Sequence, residues 1–173
     1  MVSLDRPTVD VSPQPPAIRP YSSADFQWAV ELLAVTGGRH RVRRGVAVDV
    51  ALFAGLVADR SGHPAALATF SRPNSETLEI SAIASAPFDE QLVRSLITAV
   101  VMNRQPDCRR VYTICSNVDF DMQRALQLEG FCLCAARPGN VEIAARSSTE
   151  VVRTLGGLPV RDELEYERLF VPG

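Results

Sequence analysis

Residues 109–137, "RRVYTICSNVDFDMQRALQLEGFCLCAAR", contain a strand, a helix and a second strand in immediate succession. The part that ends at Ser116 is rich in β-branched and aromatic residues, which favours a strand. "NVDFDMQRALQLEG" begins with acidic residues that suit a helix start, and Gly130 stands where helices commonly end. "FCLCAAR" then predicts the second strand. The segment therefore predicts one strand–helix–strand unit of an α/β protein.

Three short apolar stretches lie upstream of this unit. They are "LFAGLVAD", "AALATFS" and "TLEISAIA", separated by the turn signals "RSGHP" and "RPNS". This pattern predicts an antiparallel meander, followed by a helix whose apolar face includes Leu92 and Leu96. Before it, "AIRPY" predicts a strand, and a helix runs from Ser22 or Ser23 to Gly37. Together these elements predict an α/β (α+β) fold with a mixed sheet of about six to seven strands and helices on both faces.

Other segments are less regular. "RHRVRR" is expected to be a connecting loop, and "VAVDVALF" is weakly helical in pattern. A Gly-Asn turn and a stretch of uncertain form follow residue 137, and "PVRDELEYERLF" does not distinguish strand from helix. The first sixteen residues carry four prolines and no periodic apolar face, which predicts a disordered arm before a single domain over residues 17–173.

Charge and apolar content narrow the range of functions. The 173 residues carry 18 basic and 20 acidic side chains, a net charge of −2, which argues against duplex nucleic-acid binding. No apolar run approaches the ~18 residues of a membrane span, and the N-terminus lacks a signal-peptide pattern. We therefore expect a soluble, cytoplasmic protein without a nucleic-acid or membrane partner. The four cysteines lack metal-ligand spacing with His40 or His63, so we expect free core thiols and no metal.

The stretch "CSNVDFDMQRALQLEGF" resembles a helix motif of the GNAT superfamily of acyl-CoA-dependent N-acetyltransferases. The matching letters are Asn117, Arg124, Gln127, Gly130 and Phe131. The resemblance covers about residues 17–169, and "PGNVEIAARS" and "GGLPVRDELEYE" are similar to the tail of one bacterial branch. It implies a GNAT fold and acyl transfer from acetyl-CoA to an amine of a small molecule or peptide.

The resemblance breaks at the loop that holds the CoA pyrophosphate in GNAT enzymes. That loop reads R/Q-x-x-G-x-G/A, and its glycines let backbone N–H groups approach the phosphates. A version of this loop found in the family, "GRGIG", aligns with residues 89–93, "DEQLV", which lack both glycines and the basic residue. Asp89 and Glu90 add negative charge, or simply cap the helix. Acetyl-CoA is thus a possible cosubstrate for which we expect weakened affinity at a degenerate site.

Two residues are candidates for the chemistry that the resemblance implies. Glu79 stands where some GNAT members place a general base, with a solvated strand-edge carboxylate as the equal alternative. The tyrosine that protonates the leaving thiolate in many members is replaced by Leu126. Tyr112 is the candidate substitute, although such a tyrosine is more often a half-buried strand residue.

Further candidates would contact the ligands. The resemblance implies cofactor-binding positions at Ile80, Ser81, Ala82, Gln91, Val93 and Asn117. Asn117 is equally well explained as the N-cap of the following helix. In the basic cluster "RHRVRR", Arg41 and Arg43 are the candidate substrate-binding residues, for an acidic acceptor, an anionic partner or the CoA phosphates. The alternative for this cluster is a solvated loop.

Two other functions stay open at this point. The same cleft could catalyse a different small-molecule reaction or use another acyl donor. The chain could also be a non-catalytic module that binds a ligand or protein. The residues do not determine the acceptor or the oligomeric state, and a homodimer is one of the possible states.

Overall fold

A computed structural model describes residues 15–147 and 151–171. Most of the predicted arm, residues 1–14, therefore lies outside the described residues. The helices are α1 (Phe26–Val35), α2 (Glu90–Met102), α3 (Phe120–Leu128) and α4 (Asn140–Ser147). The strands are β1 (Ala17–Pro20), β2 (His40–Arg43), β3 (Val46–Asp49), β4 (Ala54–Arg60), β5 (His63–Asn74), β6 (Thr77–Ser85), β7 (Arg110–Ser116), β8 (Cys132–Arg137), β9 (Thr154–Leu155), β10 (Leu158–Pro159) and β11 (Glu163–Leu169).

Seven of these strands form one mixed sheet in the order β1-β4-β5-β6-β7-β11-β8. The predicted meander is confirmed, because β4, β5 and β6 pair antiparallel in succession. β6 pairs with β7 in parallel, and β11 lies antiparallel between β7 and β8. The mixed sheet that the sequence predicts is therefore the observed one.

The sheet is covered on both faces. Apolar residues of α2 and α3, including Leu96 and Leu126, pack with Leu78 into the larger core cluster. On the opposite face Leu33 of α1 packs with Leu67 into a second cluster. This arrangement follows from the apolar stripe of each helix, which must be buried against the sheet.

The segment after α1 differs from its prediction. "RHRVRR" is not a solvated loop, since most of it forms β2, and "VAVDVALF" forms β3 and a short 3-10 turn rather than a helix. The two strands form a hairpin whose turn residues, Arg44 and Gly45, have φ values of 52° and 80°. Positive φ at both central residues is typical of the tight hairpin turn that suits twisted strands. The β-branched valines of β3 also favour a strand.

The two segments of uncertain form are also resolved. The stretch after the Gly-Asn turn contains α4, and "PVRDELEYERLF" contains β11. Its alternation was obscured because the inward positions of one face are acids, Glu163 and Glu165, each only 2% exposed. Acidic residues are usually exposed, so a strand with buried acids does not show the expected alternation of apolar and polar residues, and its sequence does not distinguish strand from helix.

The cysteines are all free, but only part of the prediction holds. Cys108 is buried and Cys115 half-buried, whereas Cys132 and Cys134 are exposed. The expectation of core thiols is therefore wrong for the last two. Both lie on β8, which is at the edge of the sheet.

Candidate functional site

The candidate site begins where β6 and β7 separate. Their parallel pairing runs from Thr77 opposite Arg110 to Ile80 opposite Thr113. Beyond this point β6 continues along β5 and β7 continues along β11. Ser81 is the bulge residue of β6, because Ile80 and Ala82 pair with adjacent residues of β5. An opening between two central strands therefore begins at the predicted cofactor-binding residues.

Arg43 of the β2–β3 hairpin occupies this opening. Its Nη2 donates a hydrogen bond to the carbonyl oxygen of Ser81, and its Nε lies 2.9 Å from Glu79 Oε1. The side chains of Arg43 and Glu79 are 12% and 14% exposed, so Glu79 is not a solvated edge carboxylate. Burial lowers the pKa of Arg43, and the charge of Glu79 opposes that effect.

Tyr112 holds the other side of Glu79. Its hydroxyl donates a 2.6 Å hydrogen bond to Glu79 Oε2, and the residue is 3% exposed. Burial, followed by the bond to Glu79, raises the pKa of Tyr112 well above its ordinary value. The guanidinium carbons of Arg110 and Arg44 lie 4.5 and 5.5 Å from the centre of its ring. Glu79 is thus fixed between an arginine and a tyrosine, at the point where the strands part.

Arg41 lies two residues before Arg43 on β2, and both line the wall of a small cavity. Arg41 Nη2 donates a 2.8 Å hydrogen bond to the carbonyl of Thr36, at the end of α1. Burial lowers the pKa of Arg41 to about 10, and the like charge of Arg43 contributes to this. The structure therefore brings both predicted substrate-binding arginines to one place, where they are half-buried on a strand rather than on a solvated loop.

The start of α2 is capped by Asp89. Asp89 is the N-cap, and its Oδ1 accepts a 3.0 Å hydrogen bond from the Leu92 amide. Its Oδ2 lies 2.7 Å from Arg60 Nη2. Although burial raises the pKa of Asp89, the Leu92 and Arg60 contacts together lower it below its ordinary value. Glu90 pairs with Arg124 across to α3. The capping alternative is therefore the arrangement observed for Asp89, whereas Glu90 forms ion pairs.

The two other residues assigned to the phosphate loop differ in accessibility. Val93 is fully buried, and its amide donates to the Asp89 carbonyl at 3.0 Å. Neither its side chain nor its N–H is free to face a phosphate in this conformation. Gln91 is exposed and lines a groove beside Pro15 and Pro16.

Asn117 joins two segments instead of capping α3. Its Oδ1 accepts hydrogen bonds from the amides of Arg161 and Asp162, at 3.0 and 3.2 Å. The N-cap of α3 is Asp119, so the capping alternative for Asn117 is wrong. Asn117 ties the end of β7 to the start of β11, which orders the strand that borders the opening. Leu126 is fully buried, as is usual for a leucine on the inward face of a helix.

The sequence reading missed the buried acids of β11. Glu163 accepts hydrogen bonds from the amide of Arg44 at 2.7 Å and from Asn140 Nδ2 at 2.6 Å. It thereby fastens the hairpin turn above the sheet. Glu165 pairs with Arg110 at 2.6 Å and Arg137 at 2.5 Å. The available signal was the alternation of acids at every second position in "ELEYE".

Two further properties can be stated for the described residues. None of their four helices has the length and apolar content that crossing a membrane requires. Across the same ranges, no three His, Cys, Asp or Glu side chains lie together in a way that could hold a metal ion.

Solved structures with the same architecture are GNAT acetyltransferases. IAA acetyltransferase from Bacillus cereus ATCC 14579 superposes with a TM-score of 0.70 at 14% identity, over 90% of this chain and 99% of that one. A GNAT family acetyltransferase from Elizabethkingia anophelis with acetyl-CoA bound gives 0.63 at 12%, over 91% and 99%. A putative acetyltransferase from Salmonella typhimurium with its cofactor acetyl-CoA gives 0.62 at 16%, over 89% and 93%.

The chain therefore has the GNAT fold, and the fold expectation is confirmed. No protein-family model matches the sequence, and no curated protein matches it either. At these identities the likeness is one of fold.

Proposed function

We propose that the protein is a GNAT-type acyltransferase, which transfers the acetyl group of acetyl-CoA to an amine of a small molecule or peptide. The observation that carries this proposal is the parting of β6 and β7 after Ile80, with Ser81 as an unpaired bulge. Backbone groups that lack a strand partner need another hydrogen-bonding partner. The amide-containing pantetheine arm of CoA would supply it along residues 80–82 once Arg43 releases the Ser81 carbonyl.

Glu79 is the proposed general base of this reaction. It would accept a proton from the acceptor amine, directly or through water, as the nitrogen attacks the thioester carbon. The C–N bond forms, the C–S bond breaks, and CoA leaves as a thiolate. Tyr112 donates to Glu79 at 2.6 Å and therefore positions the carboxylate. Its raised pKa disfavours proton transfer to a thiolate, because an ordinary thiol has a pKa of about 8.5.

A second candidate function is supported by the contacts of Arg43 and Asp89. Arg43 already uses the carbonyl of Ser81, and Asp89 already caps the helix start that the family offers to phosphate. These contacts favour a GNAT-fold protein that has lost CoA-dependent transfer. Such a protein would catalyse another small-molecule reaction in the cleft or serve as a binding module. A cytoplasmic location and a small-molecule partner remain predictions under either proposal.

Thermal unfolding with acetyl-CoA distinguishes the two candidates. A ligand at ~100 times its dissociation constant stabilises a protein by about 2.7 kcal/mol. If the first proposal is correct, acetyl-CoA raises the melting temperature of the wild-type protein. The effect is larger for Arg43→Gln, in which the opening is less occupied. Arg72→Gln, an exposed site on β5, is the matched control. No shift at millimolar acetyl-CoA in either wild type or Arg43→Gln would exclude acetyl transfer and leave the second candidate.

A further inference from the structure

Arg41 and Arg43 are neighbouring arginines that differ in whether a carboxylate lies beside the guanidinium. Both extend from the same face of β2, two residues apart. Arg43 has Glu79 as its carboxylate partner and Ser81 as its carbonyl acceptor. Arg41 has no carboxylate within ion-pair distance among residues 15–147 and 151–171. Of these two neighbouring cations, Arg43 therefore has an ion-pair partner among the described residues and Arg41 does not.

The guanidinium of Arg41 is held in place with most of its donors unused. A guanidinium has five N–H donors, and among the described residues only the bond from Nη2 to Thr36 uses one. Its Nε is buried without a hydrogen-bond partner. Nη1 packs against Gly37, where an added Cβ would lie 2.9 Å from it. A buried, anchored and unsatisfied cation in a native structure requires an explanation, and an absent anion is one.

Among the described residues, the neighbouring acids do not supply that anion. Asp119, whose charge acts on Arg41, is engaged as the N-cap of α3. Glu163 accepts from the amides of Arg44 and Gly45 and from Asn140. Asp162 accepts from the amide of Gly139 at 2.9 Å.

The cavity beside Arg41 has a volume of about 60 Å³. This is room for about two water molecules or a carboxylate group, since one water takes about 30 Å³ in the liquid. Much of the remaining wall is aliphatic, from Ile114, Val141, Val151, Val152, Leu155 and Val160. Asp162 and Glu163 also line the cavity, and their carboxylates accept hydrogen bonds from backbone amides. A small, partly open site with one anchored guanidinium and largely aliphatic walls suits the carboxylate of a small ligand with a short hydrocarbon part.

We propose that Arg41 binds the carboxylate of the acceptor, so that the substrate class is small aliphatic amino acids. Arg43 stays paired with Glu79, and the planar fork of Arg41 makes two charge-assisted hydrogen bonds to the ligand. The assignment of the ligand as an acetyl acceptor rests on the proposed function. The carboxylate site itself does not, because it can be occupied without CoA.

Titration calorimetry without acetyl-CoA tests the site. The probes are glycine, L-alanine, L-2-aminobutyrate and L-valine, each compared with its carboxamide, which removes the negative charge and keeps the shape. We expect at least one acid to bind the wild-type protein about tenfold or more tightly than its amide. Arg41→Met, which retains an aliphatic stem, removes that preference. Arg72→Met, on the exposed part of β5, retains it.

The outcomes separate ligand binding from a structural role. If Arg41 only caps the carbonyl end of α1, Arg41→Met lowers the melting temperature and no acid is preferred over its amide. Absence of binding by all four acids at millimolar concentration overturns the proposal, as does unchanged acid binding in Arg41→Met. If Arg41→Met fails to fold, the acid–amide comparison on the wild-type protein decides alone. A carboxylate preference together with no acetyl-CoA shift would retain this site and reject acetyl transfer.

Discussion

Replacing Glu79 by glutamine removes the carboxylate that pairs with Arg43 and leaves that guanidinium buried beside a neutral amide. The two charges are 2.9 Å apart, and both side chains are less than 15% exposed. At an effective dielectric constant of about 20, their attraction is about 6 kcal/mol. Desolvation offsets much of this gain, but breaking a buried pair on one side typically destabilises a protein by about 3–5 kcal/mol. We expect Glu79→Gln to reduce the free energy of unfolding by an amount in this range.

A double-mutant cycle measured by urea unfolding isolates the pair. Arg43→Met alone should also be strongly destabilising, because among the described residues it leaves the buried Glu79 carboxylate with the Tyr112 hydroxyl as its one side-chain partner. The double variant should cost little more than either single one, so the coupling free energy should approach the effect of one single substitution, about 3 kcal/mol. Tyr112→Phe removes one hydrogen bond to the same carboxylate and should cost about 1.5–3 kcal/mol. If the changes in unfolding free energy of Glu79→Gln and Arg43→Met simply add, the Arg43–Glu79 pair does not hold the β2–β3 hairpin against the opening.

Three further predictions concern other parts of the molecule. Asp89→Ser keeps an N-cap but removes one negative charge. The affinity for acetyl-CoA, measured by calorimetry, should therefore rise about fivefold, which is equivalent to about 1 kcal/mol. Unchanged affinity would show that this acid does not oppose the phosphates. Leu96→Ala deletes a fully buried side chain of the α2 core and should reduce the free energy of unfolding by about 2–5 kcal/mol, whereas Thr98→Ala on the exposed side should change it little. The hydrogen bonds from Arg19 lower the pKa of Asp25 far below its ordinary value, so the pair stabilises the protein above about pH 4, and that contribution is lost as the pH falls towards the lowered pKa. Between pH 7 and pH 2 the melting temperature of the wild type should therefore fall more steeply than that of Asp25→Asn. A parallel fall in the two melting temperatures would contradict this assignment.

The order of the main elements could be read from local patterns. The meander, the two strand–helix units and the helix faces depend on apolar spacing, turn residues and caps, which are properties of short segments. For this reason the mixed sheet, with β6 and α2 in succession, was predictable. The same local chemistry identified Asp89 as a capping acid in a position where the GNAT resemblance implies glycine.

The hairpin and β11 were harder to predict because long-range charge pairs determine them. Arg43 reads as a solvated residue in "RHRVRR", and its burial depends on Glu79, which is 36 positions away and belongs to a different strand. Glu163 and Glu165 read as surface acids, and their burial depends on the amides of Arg44 and Gly45 and on Arg110 and Arg137. No short window of sequence contains both partners of such a pair.

The sequence by itself therefore determined the fold class, the acid cap of α2 and the absence of the phosphate glycines, since these depend on neighbouring residues. Only the tertiary structure decided what occupies the opening between β6 and β7. Parting the strands releases backbone groups at Ser81, and the nearest donor that folding brings there is Arg43. The fold also leaves Arg41 beside a cavity without a carboxylate partner among the described residues, because Glu79 can neutralise only one of the two arginines.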